Sequence, residues 1–186
     1  MNPADYVPEN LTETMDVYVG NMAFAAALIA AALYDLRTLE IPNWLSLLLV
    51  LAFVVAGLAG APPVVGRLAG LGLGLSTGVA VLIGGVVLFR LGLLGGGDVK
   101  LLAAAAPWYG WAGVGQFLLV VALCGGLLAL LLLLLRPLTG LWRGTWLGTW
   151  AGLRGEKGEI PYGLAICAGG LWQWHHLLPG LAVAPS

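Results

Sequence analysis

Apolar runs without Asp, Glu, Lys or Arg follow one another along this chain, separated by short clusters of ionisable and turn-forming residues. Residues 17–34, 41–66, 68–89 and 160–178 form four such runs. Each is long enough to hold a helix crossing about 30 Å of hydrocarbon at about 1.5 Å per residue. A fifth run, residues 101–135, admits two readings. It is either one very long helix or two shorter ones broken around Pro107-Trp108-Tyr109-Gly110-Trp111.

Positive charge separates these readings. With two spans in the fifth run, the chain has six, and both termini lie on one side. Arg37, Arg90, Lys100, Arg136, Arg143, Arg154 and Lys157 then share one face, and Arg67 alone lies opposite. With one span there, the split is three against five. The cytoplasmic side of a membrane protein carries the excess of Lys and Arg, so the six-span reading is preferred. The predicted fold is an all-α polytopic membrane protein with six transmembrane helices and both termini outside. Residues 1–16 form a short extracytoplasmic segment, 17–178 the six-span domain and 179–186 a C-terminal tail. The aromatic cluster Trp108, Tyr109 and Trp111 is expected at a turn in the outer interface, where Trp and Tyr concentrate.

Finer patterns add detail. Gly66, Gly70, Gly74 and Gly78 recur every four residues along the third span, a stripe that lets helices approach closely in lipid. Trp142, Trp146 and Trp150 share one face of a short helix expected to lie in the cytoplasmic interface before the last span. His175 and His176 stand near the outer end of that span. Adjacent residues point to different helix faces, so they form no metal site, and no metal or organic cofactor is expected.

Composition removes other classes. Charged residues make up only 9% of the 186, against roughly 25% in an ordinary soluble domain. A net charge of −1 leaves no basic face for nucleic acid. Cys124 and Cys167 stand alone inside apolar runs, which fits buried thiols rather than zinc or redox chemistry. The acidic N-terminus does not resemble a cleaved secretory signal, whose leading region is positive.

Against this background two aspartates stand out. An acid at the centre of a membrane helix costs on the order of 3 kcal/mol, so Asp35 and Asp98, at the edges of apolar runs, need a reason. Asp35 is expected to close the first span, held in a short, wet turn before the second. Pro42 suits the start of the second, and Asn43 caps or stabilises that start. Asp98 follows Gly95-Gly96-Gly97, which admit close approach of a substrate strand, and sits where the helix dipole favours an acid. A phosphate loop is excluded because Leu101, not Ser or Thr, follows Lys100. The six-span topology places both acids on the cytoplasmic side. Two carboxyls a few ångströms apart share a proton. The ionised one then deprotonates water, while the protonated one polarises a carbonyl and protonates the leaving amine. Arg37, Lys100, Glu40 and Glu159 on the same face set topology or steer a peptide.

Three ordered signatures carry a resemblance. Asp35 with Ile41-Pro42-Asn43, then Gly95-Gly96-Gly97-Asp98-Val99-Lys100-Leu101, then Ile160-Pro161-Tyr162-Gly163, resemble the type IV prepilin peptidase family, over residues 16–178. The resemblance implies that Asp35 and Asp98 are the catalytic pair of a Gly-x-Gly-Asp membrane aspartic protease. It implies supporting or substrate-binding roles around Gly95, Gly96, Gly97, Lys100, Pro42 and Asn43. The implied substrate is a prepilin or pseudopilin helix, cut at the cytoplasmic face of the bacterial inner membrane after a short basic leader. The paired CxxC motifs of the larger, N-methylating members are absent, so the chain is similar to the short peptidase-only form of tight-adherence (Flp) pilus systems. Three other functions are compatible with two such acids: a presenilin-like intramembrane protease, a transporter using the carboxylates as a relay, and a pilin-binding assembly scaffold.

Overall fold

The computed structural model describes residues 11–58, 67–135 and 161–174. The expected interfacial helix with Trp142, Trp146 and Trp150, Glu159, the His175-His176 pair, and the cations from Arg136 to Lys157 lie outside the described residues. Six α-helices occur among the described residues: α1 Leu11–Thr38, α2 Asn43–Leu58, α3 Arg67–Arg90, α4 Gly96–Ala105, α5 Gly110–Leu135 and α6 Tyr162–Trp174, with a 3-10 turn Ala106–Trp108 between α4 and α5. The segments of α1, α3 and α5 at Tyr18–Thr38, Gly70–Arg90 and Gly110–Leu134 are long and apolar enough to cross a membrane. Asn43–Leu58 and Tyr162–Trp172 are shorter apolar helices.

Their side chains face outward in the manner of a lipid-solvated surface. Leu119, Leu123 and Leu127 occupy one exposed stripe of α5, the reverse of a soluble helix, whose apolar stripe faces inward. The small residues go inside instead. Ala27, Ala31 and Ala32 of α1 and Ala104 and Ala105 of α4 are buried. Small side chains let backbones approach where lipid removes the hydrophobic drive between helices.

The ambiguous run 101–135 is broken between α4 and α5. Pro107 opens the break, and Gly110 completes it with φ +58°, a conformation that disfavours a side chain. The break is not an exposed turn. α4 has only 10 residues, about 15 Å of rise, so the chain reverses inside the bundle. Trp108 and Tyr109 are accordingly 2% and 3% exposed, and only Trp111 faces outward. Trp108 packs on Phe24 and Phe53 with ring centroids 4.8 and 5.8 Å away and donates its indole N–H to the Leu49 carbonyl. Tyr109 stacks on Phe117 and donates its hydroxyl to the Gly170 carbonyl at 2.8 Å. The reversal is therefore paid for with buried rings that satisfy their polar tips on neighbouring helices.

α4 is the inner element. It packs on α2, α3 and α6, and Val99, Leu101, Leu102, Ala104 and Ala105 are all buried. Glycines of α3 make this approach possible. A Cβ on Gly78 would stand 2.9 Å from the Ala103 carbonyl oxygen and 3.0 Å from Pro107, and one on Gly74 would strike Phe53. Gly85 faces Val99 while Gly78 faces Ala103 and Pro107, so α3 and α4 run antiparallel. Similar pairings, Gly163 with Asp35 and Gly170 with Leu28, set α6 antiparallel to α1.

Candidate active site

The three signatures converge at one end of the bundle. Asp35 closes α1, in its last helical turn, but it is not held in a wet connection to α2: it is 4% exposed. The helix continues to Thr38, whose hydroxyl accepts from the Glu40 N–H. Leu39 ends it in the left-handed region, φ +55°. What buries Asp35 is the start of α6. The Gly163 backbone N–H donates to Asp35 Oδ2 at 2.6 Å. The first N–H groups of a helix have no partner within it, and their dipole favours an anion. Gly163 is a glycine because the carboxyl occupies the space of its side chain: a Cβ there would lie 2.8 Å from Oδ2 and 3.1 Å from Cγ.

Asp98 lies in the first turn of α4, whose N-cap is Gly95. Three positions past the cap, its carboxylate reaches back to accept the Gly95 N–H, the acid half of a capping box. The first turn of α4 is pressed against the α1–α2 connection, where a Cβ on Gly97 would stand 3.1 Å from Ile41 Cβ. Lys100 adds a cross-link, its Nζ donating to Asn43 Oδ1 at 2.8 Å. The expected cap at Asn43 is thus a bridge instead: Asn43 is the first residue of α2, and its side-chain oxygen serves α4.

These elements enclose a cavity of about 770 Å³ lined by both acids together with Asn43, Gly95, Gly96, Gly97 and Lys100. Of the site residues expected from sequence, Pro42 alone does not line it. The remaining wall comes from Leu39, Glu40 and Ile41, from Gly92, Leu93 and Leu94, and from Tyr162. Asp98 lies outside the three long apolar spans and titrates unusually. Burial, and after it the charge on Asp35, push its carboxyl from an ordinary 3.8 up to about 7, with the Gly95 N–H pulling the other way. Two acids in one cavity, one of them holding its proton near neutrality, have the disposition of a general acid–base pair. Among the described residues no group of three or more His, Cys, Asp or Glu gathers in a way that suits a metal.

A model of the type IV leader peptidase family matches residues 22–130, well over half of the chain. The chain belongs to that family. The match includes Asp35 and Asp98 and all of the loop before α4, and it carries peptidase activity as the family's chemistry. No curated protein and no solved structure matches the chain. Tyr162 and Gly163 lie beyond the matched segment, yet Tyr162 lines the cavity and Gly163 holds Asp35. Sequence reasoning quoted the Ile160-Pro161-Tyr162-Gly163 string without giving it a part in the site. Its signal was available: a Pro-x-Gly sequence opening an apolar helix presents free N–H groups, and a membrane acid nearby is the group in need of them.

Proposed function

We propose that this chain is a membrane-embedded aspartic endopeptidase that removes the leader from prepilin- and pseudopilin-like substrates at the cytoplasmic face of a bacterial inner membrane, serving pilus biogenesis. The observation that carries the reading is the convergence of Asp35 and Asp98 on one cavity, built by all three signatures. In this reading Asp98 holds the shared proton, its carboxyl pushed up to about 7 by burial and by the charge on Asp35. Asp35, held by the Gly163 N–H at 2.6 Å, is the base. Asp35 takes a proton from water, whose oxygen attacks the scissile carbonyl carbon as Asp98 protonates the carbonyl oxygen. The tetrahedral diol then collapses: Asp35 passes its proton to the nitrogen, the C–N bond breaks, a diol hydroxyl returns a proton to Asp98, and a carboxylic acid and an amine result.

The topology belongs to the same proposal. α1 to α6 alternate in direction, with Asn43 beside Lys100 and Phe53 beside Trp108 setting α2 parallel to α4. That alternation supports both termini lying outside, with α4 leaving the end that holds the cavity and α5 returning to it. Arg37 and Arg90 stand in the last turns of α1 and α3 and Lys100 on α4, at the end that holds the cavity. Such an excess of cations favours the cytoplasmic side.

Co-expression with a type IV prepilin tests the mechanism. Asp35→Asn and Asp98→Asn each abolish the gel shift that follows leader removal, while both variants stay in the membrane fraction. Full processing by either variant rejects the paired-acid reading.

A further inference from the structure

A second, apolar depression adjoins the polar cavity. It holds about 400 Å³ between α2, α3 and α4, and its walls include Ser46, Leu47, Val50, Val79 and Leu82. Its floor is low because Gly78, Ala103 and Ala104 supply little side chain there. Asn43 and Lys100 line both this groove and the polar cavity, so the hydrogen bond between them stands at the boundary of the two. From Asn43 to Val50, and from Lys100 to Pro107, the groove follows two helical turns, about 10 Å. Leu47 and Val79 are more than half exposed, so the groove opens sideways, toward lipid.

One polar atom in this wall is out of place. Ser46 is only 9% exposed and its Oγ makes no hydrogen bond. Helical hydroxyls in lipid ordinarily bond back to a carbonyl one turn earlier. Ser76 and Thr77 of the neighbouring α3 do so, donating to the Leu73 and Gly74 carbonyls at 2.7 and 2.6 Å. An unmade hydrogen bond in an apolar setting costs on the order of 1–3 kcal/mol, so an unpartnered hydroxyl beside a groove points to a ligand that completes it.

Resting on the peptidase reading, we infer that this groove seats the apolar segment of the substrate that follows the cleaved bond, with Ser46 accepting a backbone N–H at the start of its helix. A ligand reaching both compartments has a polar stretch at the carboxylates and an apolar stretch in the groove. Where such a chain passes from extended to helical, the first N–H groups of the helix lack internal partners, and hydrocarbon offers none. Ser46 stands within one turn of Asn43, beside the polar cavity, and supplies an acceptor there.

Photo-crosslinking in liposomes tests the assignment. A benzoylphenylalanine is placed at Val79 in the groove, or at Ile29 on the exposed side of α1, in an Asp98→Asn background that traps a tagged type IV prepilin. The expected result is a crosslink from position 79 to the residues just past the leader, and none from 29. A crosslink from 29 alone, or only lipid adducts at 79, overturns the groove assignment. The same substitutions with Asp98 intact report cleavage separately, so the peptidase reading survives that outcome if the leader is still removed. If the unsubstituted chain removes no leader, both readings fall. Ser46→Ala supplies a second readout. It raises KM for the membrane prepilin by about tenfold, the equivalent of one hydrogen bond, with kcat unchanged. For a water-soluble peptide ending soon after the bond, neither constant moves. Equal effects on both substrates contradict a role in seating the apolar segment.

Discussion

The contact between Gly163 and Asp35 offers the sharpest test of how the site is built. In Gly163→Ala the added methyl carbon would lie 2.8 Å from Oδ2, 2.9 Å from Cβ and 3.1 Å from Cγ of Asp35. Ordinary carbon contacts begin near about 3.5 Å, so the carboxyl, the start of α6, or both must shift by several tenths of an ångström. Neither has slack, because Asp35 is 4% exposed and bonded to the Gly163 N–H at 2.6 Å. Overpacking of this size costs about 1–3 kcal/mol of stability. Stretching the charge-assisted bond forfeits part of a further contribution of about 1.5–3 kcal/mol. The larger consequence is kinetic, since displacing a catalytic group by about 1 Å lowers the rate on the order of 100-fold. Initial rates of leader removal from a reconstituted prepilin measure the effect, alongside thermal unfolding in detergent. Gly84→Ala is the control, because a Cβ there meets nothing within 4 Å. A Gly163→Ala enzyme that cleaves at the parental rate would refute the claim that this backbone segment positions Asp35.

Three further outcomes follow from the same geometry. Asp98 has its carboxyl pushed up to about 7 from 3.8, so the folded chain holds a proton there that the unfolded chain releases at about pH 4. Its contribution to stability is therefore lost as pH rises from about 4 to about 7, and leader cleavage declines as pH climbs through about 7; a pH–rate profile that stays flat from about pH 6 to 9 contradicts this. Trp108→Ala lowers unfolding free energy by about 3–5 kcal/mol, whereas Trp111→Ala, which loses an exposed ring and one hydrogen bond to Ser76, costs about 1 kcal/mol. Chemical or thermal melts of the two variants distinguish a buried reversal from an interfacial one. Gly78→Ala presses a methyl against the Ala103 carbonyl and Pro107, separating α3 from α4 at a cost of about 1–3 kcal/mol in the same melts.

Much of this molecule was legible in one dimension because lipid imposes a one-dimensional rule. A helix in hydrocarbon must be apolar along its length, so α1, α3 and α5 announce themselves as charge-free runs, and the acids left at their edges stand out against a background of 9% charged residues. The break at Pro107–Gly110 was legible for a related reason, since proline and glycine act through the local backbone. The burial of Trp108 and Tyr109 was not. An aromatic pair beside a turn reads as interfacial unless the length of the incoming helix is known, and α4 ends after 10 residues.

Local chemistry along the chain determined which residues carry the acids, which loop is glycine-rich and which segments enter lipid. Only the tertiary structure decided that Asp35 is buried under the N-terminus of α6, 128 positions away in sequence, and that Asn43 bridges to Lys100 instead of capping its own helix. The physical reason is the range of the interactions. Hydropathy, turn propensity and capping act within a few residues, whereas proton sharing between two carboxyls depends on distances that arise only when separate helices pack.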